Sequence, residues 1–214
     1  VNTLIKYMLR TATLLGTFAV VGTGLVALTY EVTREPIAAS ERAALLRNLH
    51  QIVPKTLHDN DLFTDVIHVT APQALGTNEP MPVYRARQQG EPVALVITCV
   101  APDGYSGNIR LLVGIRYDGS LLGVRAIKHR ETPGLGDAIE ADRSDWILGF
   151  DNKSLGNPPP ARWQVKKDGG AFDQLTGATI TPRAVVAAVK RSLQYYGAER
   201  DMLFMSAAEV THVE

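Results

Sequence analysis

The sequence predicts an α+β fold: a single N-terminal transmembrane helix followed by a domain of antiparallel sheet with flanking helices. Three observations predict it. Thr11 to Tyr30 contains no charged residue. Four β-patterned runs in the middle of the chain are joined by turns, whereas a parallel crossover needs about a dozen residues or more. Segments with helical periodicity lie on either side of those runs.

The N-terminal run includes Leu14, Leu15, Phe18, Val20, Val21, Leu25, Val26 and Leu28. A helix of about 20 residues rises roughly 30 Å, the thickness of a bilayer core. Lys6 and Arg10 precede it and Tyr30 closes it at the headgroup level. A cleaved signal peptide shares the basic start and apolar run, but no A-x-A site follows, and the expectation is a retained helix. Ala12, Gly16, Ala19, Gly22 and Gly24 leave room for another helix to approach. Lys6 and Arg10 favour a cytoplasmic N-terminus, although Arg34, Arg42 and Arg47 dilute the bias.

The expected organisation is then a cytoplasmic segment over 1–10, the span over 11–30, and a linker and helix over 31–60. A folded domain over 61–205 and a tail over 206–214 follow. In the third segment Leu45, Leu46, Leu49, Ile52 and Val53 recur at helical spacing until Pro54 stops them. Asp61 to Val69 starts the sheet. Pro82 to Arg87, Pro92 to Val100, Ile109 to Tyr117 and Leu121 to Lys128 continue it, and Asp118-Gly119 is a hairpin signal. Asp137 to Phe150 reads as helix, Trp163 to Val165 as a short strand. Thr181-Pro182 reads as the cap and first residue of a last helix, with Ala184, Val185, Ala188, Val189, Leu193 and Tyr196 on its apolar face.

Composition removes several functions. Lys+Arg and Asp+Glu are 22 each, so no basic footprint points to nucleic acid. The lone Cys99 reads as a buried strand residue and cannot hold an iron–sulfur cluster, which wants four thiolates. The histidines show no metal-ligand spacing, so no metal site is expected. No acid–base pair in a recognisable motif points to independent substrate chemistry, and no catalytic residue is assigned.

The chemistry concentrates in three glycine-containing stretches: Gly104-Tyr105-Ser106-Gly107, Glu131-Thr132-Pro133-Gly134-Leu135-Gly136, and Asp173-Gln174-Leu175-Thr176-Gly177-Ala178-Thr179. Taken singly, each is equally readable as a turn, and none is a P-loop or GxGxxG. In the third, Gly177 and Ala178 leave the hydroxyls of Thr176 and Thr179 open. A phosphate on Thr179 would lie near the N-terminus of the last helix, with Arg183 adding a charge.

Asp173-x-x-Thr176-Gly177-Ala178-Thr179 resembles the flavinylation motif D-x-x-[S/T]-G-A-T. The three loops in order, together with the anchor, resemble the G subunit of the Rnf ion-translocating electron-transport complex. That resemblance implies FMN bound through a phosphoester to Thr179, transferred from FAD by an ApbE-type flavin transferase. It implies cofactor contacts from Thr176, Gly177 and Ala178, from Glu131, Thr132, Gly134 and Leu135, and from Tyr105 and Ser106. Lys128 and His129 read as a solvated strand end, and Asp173 as a recognition or turn residue.

The implied function is an electron-transfer subunit of an ion-translocating oxidoreductase in a bacterial inner membrane. The FMN-binding domain would lie on the periplasmic side, and the partners would be the other redox and membrane subunits. The C subunit of the sodium-pumping NADH:quinone reductase is similar, but this chain is shorter and has Thr176 where serine is expected. An anchored scaffold whose threonine loop is only structural is the alternative from another class.

Overall fold

The computed structural model describes residues 2–205, so the expected tail over 206–214 lies outside the described residues. The chain divides into two compact units between Leu46 and Arg47.

The first unit is carried by helix α1, Asn2–Ile52. The helix runs unbroken through 31–52, where the sequence reading places a linker before a separate helix. Pro36 lies inside it. Proline removes one backbone donor, but the Ala- and Leu-rich sequence after it has high helix propensity and carries the helix on. Within the apolar run the threonine hydroxyls donate to carbonyls one turn back: Thr13 to Leu9 at 2.9 Å, Thr17 to Thr13 at 2.8 Å, Thr29 to Leu25 at 2.8 Å. A helix facing hydrocarbon must satisfy its polar groups in this internal way. The helix is long and apolar enough to cross a membrane.

The second unit starts at Arg47, earlier than the expected boundary at 61. The last turn of α1 and the residue after it are core: Leu49 and Val53 are fully buried and Ile52 nearly so. The sheet is a meander, β1 (Val66–Val69), β2 (Met81–Gln88), β3 (Glu91–Gly104), β4 (Gly107–Arg116) and β5 (Leu121–Lys128), paired antiparallel in that order. Tight turns dictate this neighbour pairing. Gln89 and Gly90 both take positive φ between β2 and β3. At the β4–β5 turn Asp118 accepts the Ser120 N–H at 2.8 Å.

β3 is buried without a break from Ala94 to Ala101, so the sheet is covered on both faces. Leu95, Ile97 and Cys99 join the main core with Val185, Val189 and Leu193 of the last helix, α3 (Ile180–Phe204). On the opposite face a side chain at Gly114 would collide with Ile52. Cys99 is fully buried, and burial pushes its thiol up to about 11.

Three further expectations are corrected. Asp137 to Phe150 is two 3₁₀ turns, Gly136–Ile139 and Asp145–Phe150. Ser144 separates them: its hydroxyl donates to Ala138 O at 2.6 Å and accepts Trp146 N–H at 3.2 Å, a local competition with helical bonding. Trp163 to Val165 contributes only an isolated bridge from Val165 to Phe172. The last helix opens at Ile180, two residues before its expected start at Pro182, with Thr179 in the cap position. A four-residue helix, α2 (Pro72–Leu75), stands between β1 and β2.

Candidate functional site

The three glycine-containing loops meet at one place, around the carboxylate of Glu131. Glu131 is 4% exposed. Its Oε1 accepts the Ser106 N–H at 2.9 Å and its Oε2 accepts the Tyr105 N–H at 3.3 Å. The Thr181 hydroxyl, fully buried, donates to Oε2 as well. The first loop, the second loop and the first turn of α3 are thereby tied to one side chain. Two glycines make room for it. A Cβ on Gly104 would lie 3.0 Å from Glu131 Oε1, and one on Gly136 would lie 2.9 Å from Glu131 Cβ.

The sequence reading places Thr181 as the cap of the last helix. The structure instead turns its hydroxyl inward to Glu131, and Thr179 holds the cap position without a side-chain hydrogen bond to the helix. A threonine in that position ordinarily bonds the second or third helical N–H. Here the Thr179 hydroxyl is left for other chemistry, at the positive end of a 25-residue helix.

The loop leading to Thr179 is fixed from behind. Phe172 stacks on Phe150 with ring centroids 4.7 Å apart. The Trp146 indole N–H donates to the Asp173 carbonyl at 2.7 Å. The Asp173 carboxylate pairs with Lys166 Nζ at 2.5 Å. Ala178 N–H then donates to Leu175 O at 3.1 Å, closing a turn with Thr176 and Gly177 at its centre. Gly177 takes φ +78°, and a Cβ there would stand 2.9 Å from Leu135 Cδ2. The positive φ requires glycine here, and the absent Cβ lets the Leu135 side chain lie against the turn.

In front of these loops opens a cleft of about 420 Å³, lined by Tyr105, Glu131, Thr132, Leu135, Gly136, Gly177, Ala178, Thr179, Ile180 and Thr181. Seven of the ten sequence-assigned cofactor residues are in that lining. Ser106 is held beside it through Glu131. Thr176 and Gly134 are exposed on the loops outside it, Gly134 at φ +77°. Gly136, Ile180 and Thr181 line the cleft without having been assigned to it. For Gly136 the signal was its place at the end of the second motif, and for Ile180 and Thr181 it was adjacency to Thr179.

The cleft is apolar at its mouth. Tyr105 is 67% exposed, Leu135 42% and Ile180 46%. Among the described residues of the second unit, only Tyr117 is a comparably exposed large apolar side chain.

Arg183 does not face a phosphate as read. Its guanidinium grips Asp168 with two hydrogen bonds of 2.6 Å. Those bonds hold the Asp168 carboxyl below its ordinary value and raise Arg183. His129 is bonded to Glu140 at 2.8 Å, and neither it nor Lys128 lines the cleft.

A model of the FMN-binding domain matches residues 104–194, which span all three loops, and a model of the RnfG N-terminal region matches residues 3–52. Known proteins resemble the chain over nearly its whole length. It is 52% identical over 195 residues to the G subunit of the ion-translocating oxidoreductase complex of Shewanella amazonensis, covering 91% of each. It is 50% identical over 207 residues to that of Pseudomonas aeruginosa, covering 97% of each. Against that of Pseudoalteromonas atlantica it is 50% identical over 196 residues, 92% of this chain and 91% of the relative.

Proposed function

The chain belongs to the family of G subunits of the ion-translocating oxidoreductase complex, and from that membership we propose that it carries FMN as an ester of Thr179 and relays electrons between neighbouring redox subunits. It is an FMN-binding electron-transfer subunit of such a complex. Membership sets aside the C-type subunit of the sodium-pumping reductase.

The residues present fit the cofactor. A planar aromatic ring system with an apolar dimethylbenzene end would cover Tyr105, Leu135 and Ile180, which otherwise leave an apolar patch facing water. Bound FMN supplies one- and two-electron transfer, and the protein sets its environment. The observation that carries the attachment site is the Thr179 hydroxyl, which lines the cleft and makes no capping bond. The N–H groups that open α3 lack intrahelical acceptors and would hold phosphate oxygens. An ApbE-type flavin transferase would supply FMN from FAD. The Thr179 oxygen would bond the FMN phosphorus of FAD as the pyrophosphate P–O bond breaks, with AMP as the leaving group and the hydroxyl proton released.

Thr179→Ala tests this directly. Co-expressed with the transferase, it should show no in-gel flavin fluorescence under denaturing conditions. Thr176→Ala should keep its fluorescence, because Thr176 lies outside the cleft. Fluorescence that survives in the first variant and vanishes in the second would move the attachment site, and peptide mass would locate it.

The charge-free span preceded by Lys6 and Arg10 supports an inner-membrane anchor with the FMN-binding domain on the periplasmic side. Alkaline phosphatase fused after Glu214 should be active. An inactive phosphatase with an active cytoplasmic reporter at the same point would reverse the topology.

A further inference from the structure

A second depression, of about 520 Å³, adjoins the flavin cleft. The two are separated by single steps of the chain. Tyr105 and Glu131 line the cleft, while their neighbours Ser106 and Arg130 line the groove. Consecutive Cα atoms are about 3.8 Å apart, so the groove and the cleft share a wall at these two loops.

The groove is positively charged. Arg110 on β4 stands opposite Lys128 on β5, and Arg130 follows two residues later. His129, between them, turns inward to Glu140. Its one carboxylate, Glu79, is 3.5 Å from Arg110 in a largely exposed pair, the kind that holds weakly. Lys128 and Arg130 form no ion pair among the described residues. The chain as a whole balances 22 basic against 22 acidic side chains, so this excess is local.

We propose that this groove is the docking face for an acidic surface of the redox subunit that exchanges electrons with the flavin. The inference rests on the reading of the cleft as a flavin site. The cations run as a row across two strand ends, which suits an extended acidic surface rather than a caged ion. Complementary charge of this kind orients partners and fixes their register, and like charges set face to face push them apart. The groove performs no chemistry; it places the partner beside the cofactor.

The test uses the assembled complex with Lys128→Glu/Arg130→Glu, and with the milder Lys128→Gln/Arg130→Gln. Each preparation is checked for attached flavin by in-gel fluorescence. Transfer through the flavin is then followed by stopped-flow absorbance at low and high ionic strength. We expect wild-type flavin content, transfer slowed about tenfold or more at low salt in the glutamate variant, because like charge displaces the bound partner, a smaller loss in the glutamine variant, and an altered salt dependence in both. Wild-type transfer in a flavin-loaded glutamate variant overturns the proposal. If that variant also loses binding of inorganic phosphate, the groove is a small-anion site instead. Loss of flavin from the variants alone would assign these residues to attachment and also overturn docking. A wild-type complex without flavin would sink the functional reading beneath it, and the control lane shows that separately.

Discussion

Substituting Thr181→Val and Glu131→Gln, singly and together, tests whether one buried carboxylate holds the cleft. Thr181 is 0% exposed and Glu131 4%, so neither partner has water as a substitute. Valine keeps the branched shape of threonine and removes the donor to Glu131 Oε2. A hydrogen bond to a charged group contributes about 1.5–3 kcal/mol, and Thr181→Val should cost that much. Glutamine keeps the length of Glu131 and still accepts from Ser106 N–H through its carbonyl. Its amide then faces Thr181, whose hydroxyl can reverse and accept, leaving a neutral bond worth about 0.5–1.5 kcal/mol. In the Glu131→Gln background the valine substitution should therefore cost about 1 kcal/mol less than in wild type.

The assay is urea unfolding of a domain beginning at Glu31, compared by midpoint at unchanged slope. A folded domain with about 5–15 kcal/mol of stability tolerates every member of the cycle. If Thr181 were the helix cap instead, its hydroxyl would serve backbone N–H groups and be indifferent to residue 131. The two substitutions would then add within about 0.5 kcal/mol. Additivity of that quality would refute the carboxylate hub.

Two other expectations concern the same domain. Leu49, Ile52 and Val53 are at most 2% exposed; burying each side chain contributes about 1.5–3 kcal/mol, in total comparable to the whole stability of a domain. A chain starting at Glu31 should fold, bind flavin and stay soluble, whereas one starting at Lys55 should not fold. Equal urea midpoints for the two would count against this boundary. Asp151 has its carboxyl raised by burial, partly opposed by Arg125 and Arg116, and its Oδ1 has no hydrogen-bond partner. A raised carboxyl binds its proton more tightly in the folded state, so its contribution is best at low pH and is lost as pH rises through the folded value. Asp151→Asn should therefore gain in Tm relative to wild type as pH climbs from about 4 towards 7. A difference that is flat with pH would show that Asp151 is not desolvated.

Much of this was legible because the signals were local. Alternation and turn residues located β2, β4 and β5 within two residues of their ends, since Asp118-Gly119 and Gln89-Gly90 permit little else, whereas β3 runs on to Gly104, past its expected end at Val100. The charge-free run from Thr11 to Tyr30 marked the helix long and apolar enough to cross a membrane for the same reason. What escaped depended on distant partners. Nothing near Thr181 announces that its hydroxyl will face a carboxylate 50 residues earlier in the chain, so a threonine before a proline read as a cap. Nothing near Ser144 shows that it will bond Ala138 and break a helical pattern in two. Arg183 read as a free charge because Asp168, its partner, is ordinary in sequence.

The Glu131 arrangement bears on why a tether alone does not suffice for an electron carrier. One ester bond at Thr179 would remove dissociation but leave the cofactor free to turn about several single bonds. Electron transfer through a fixed route needs orientation, and orientation has to come from walls that do not move. Tyr105 and Leu135 sit on exposed loops, which ordinarily shift on their own timescales. Anchoring the backbone at Tyr105 and Ser106 to the residue that begins Leu135's own loop couples the two walls. The third bond, from Thr181, fixes both to the helix on which Thr179 rides. Attachment point and walls thus share one reference, and a buried carboxylate that would be costly without partners is satisfied by the three elements it orients.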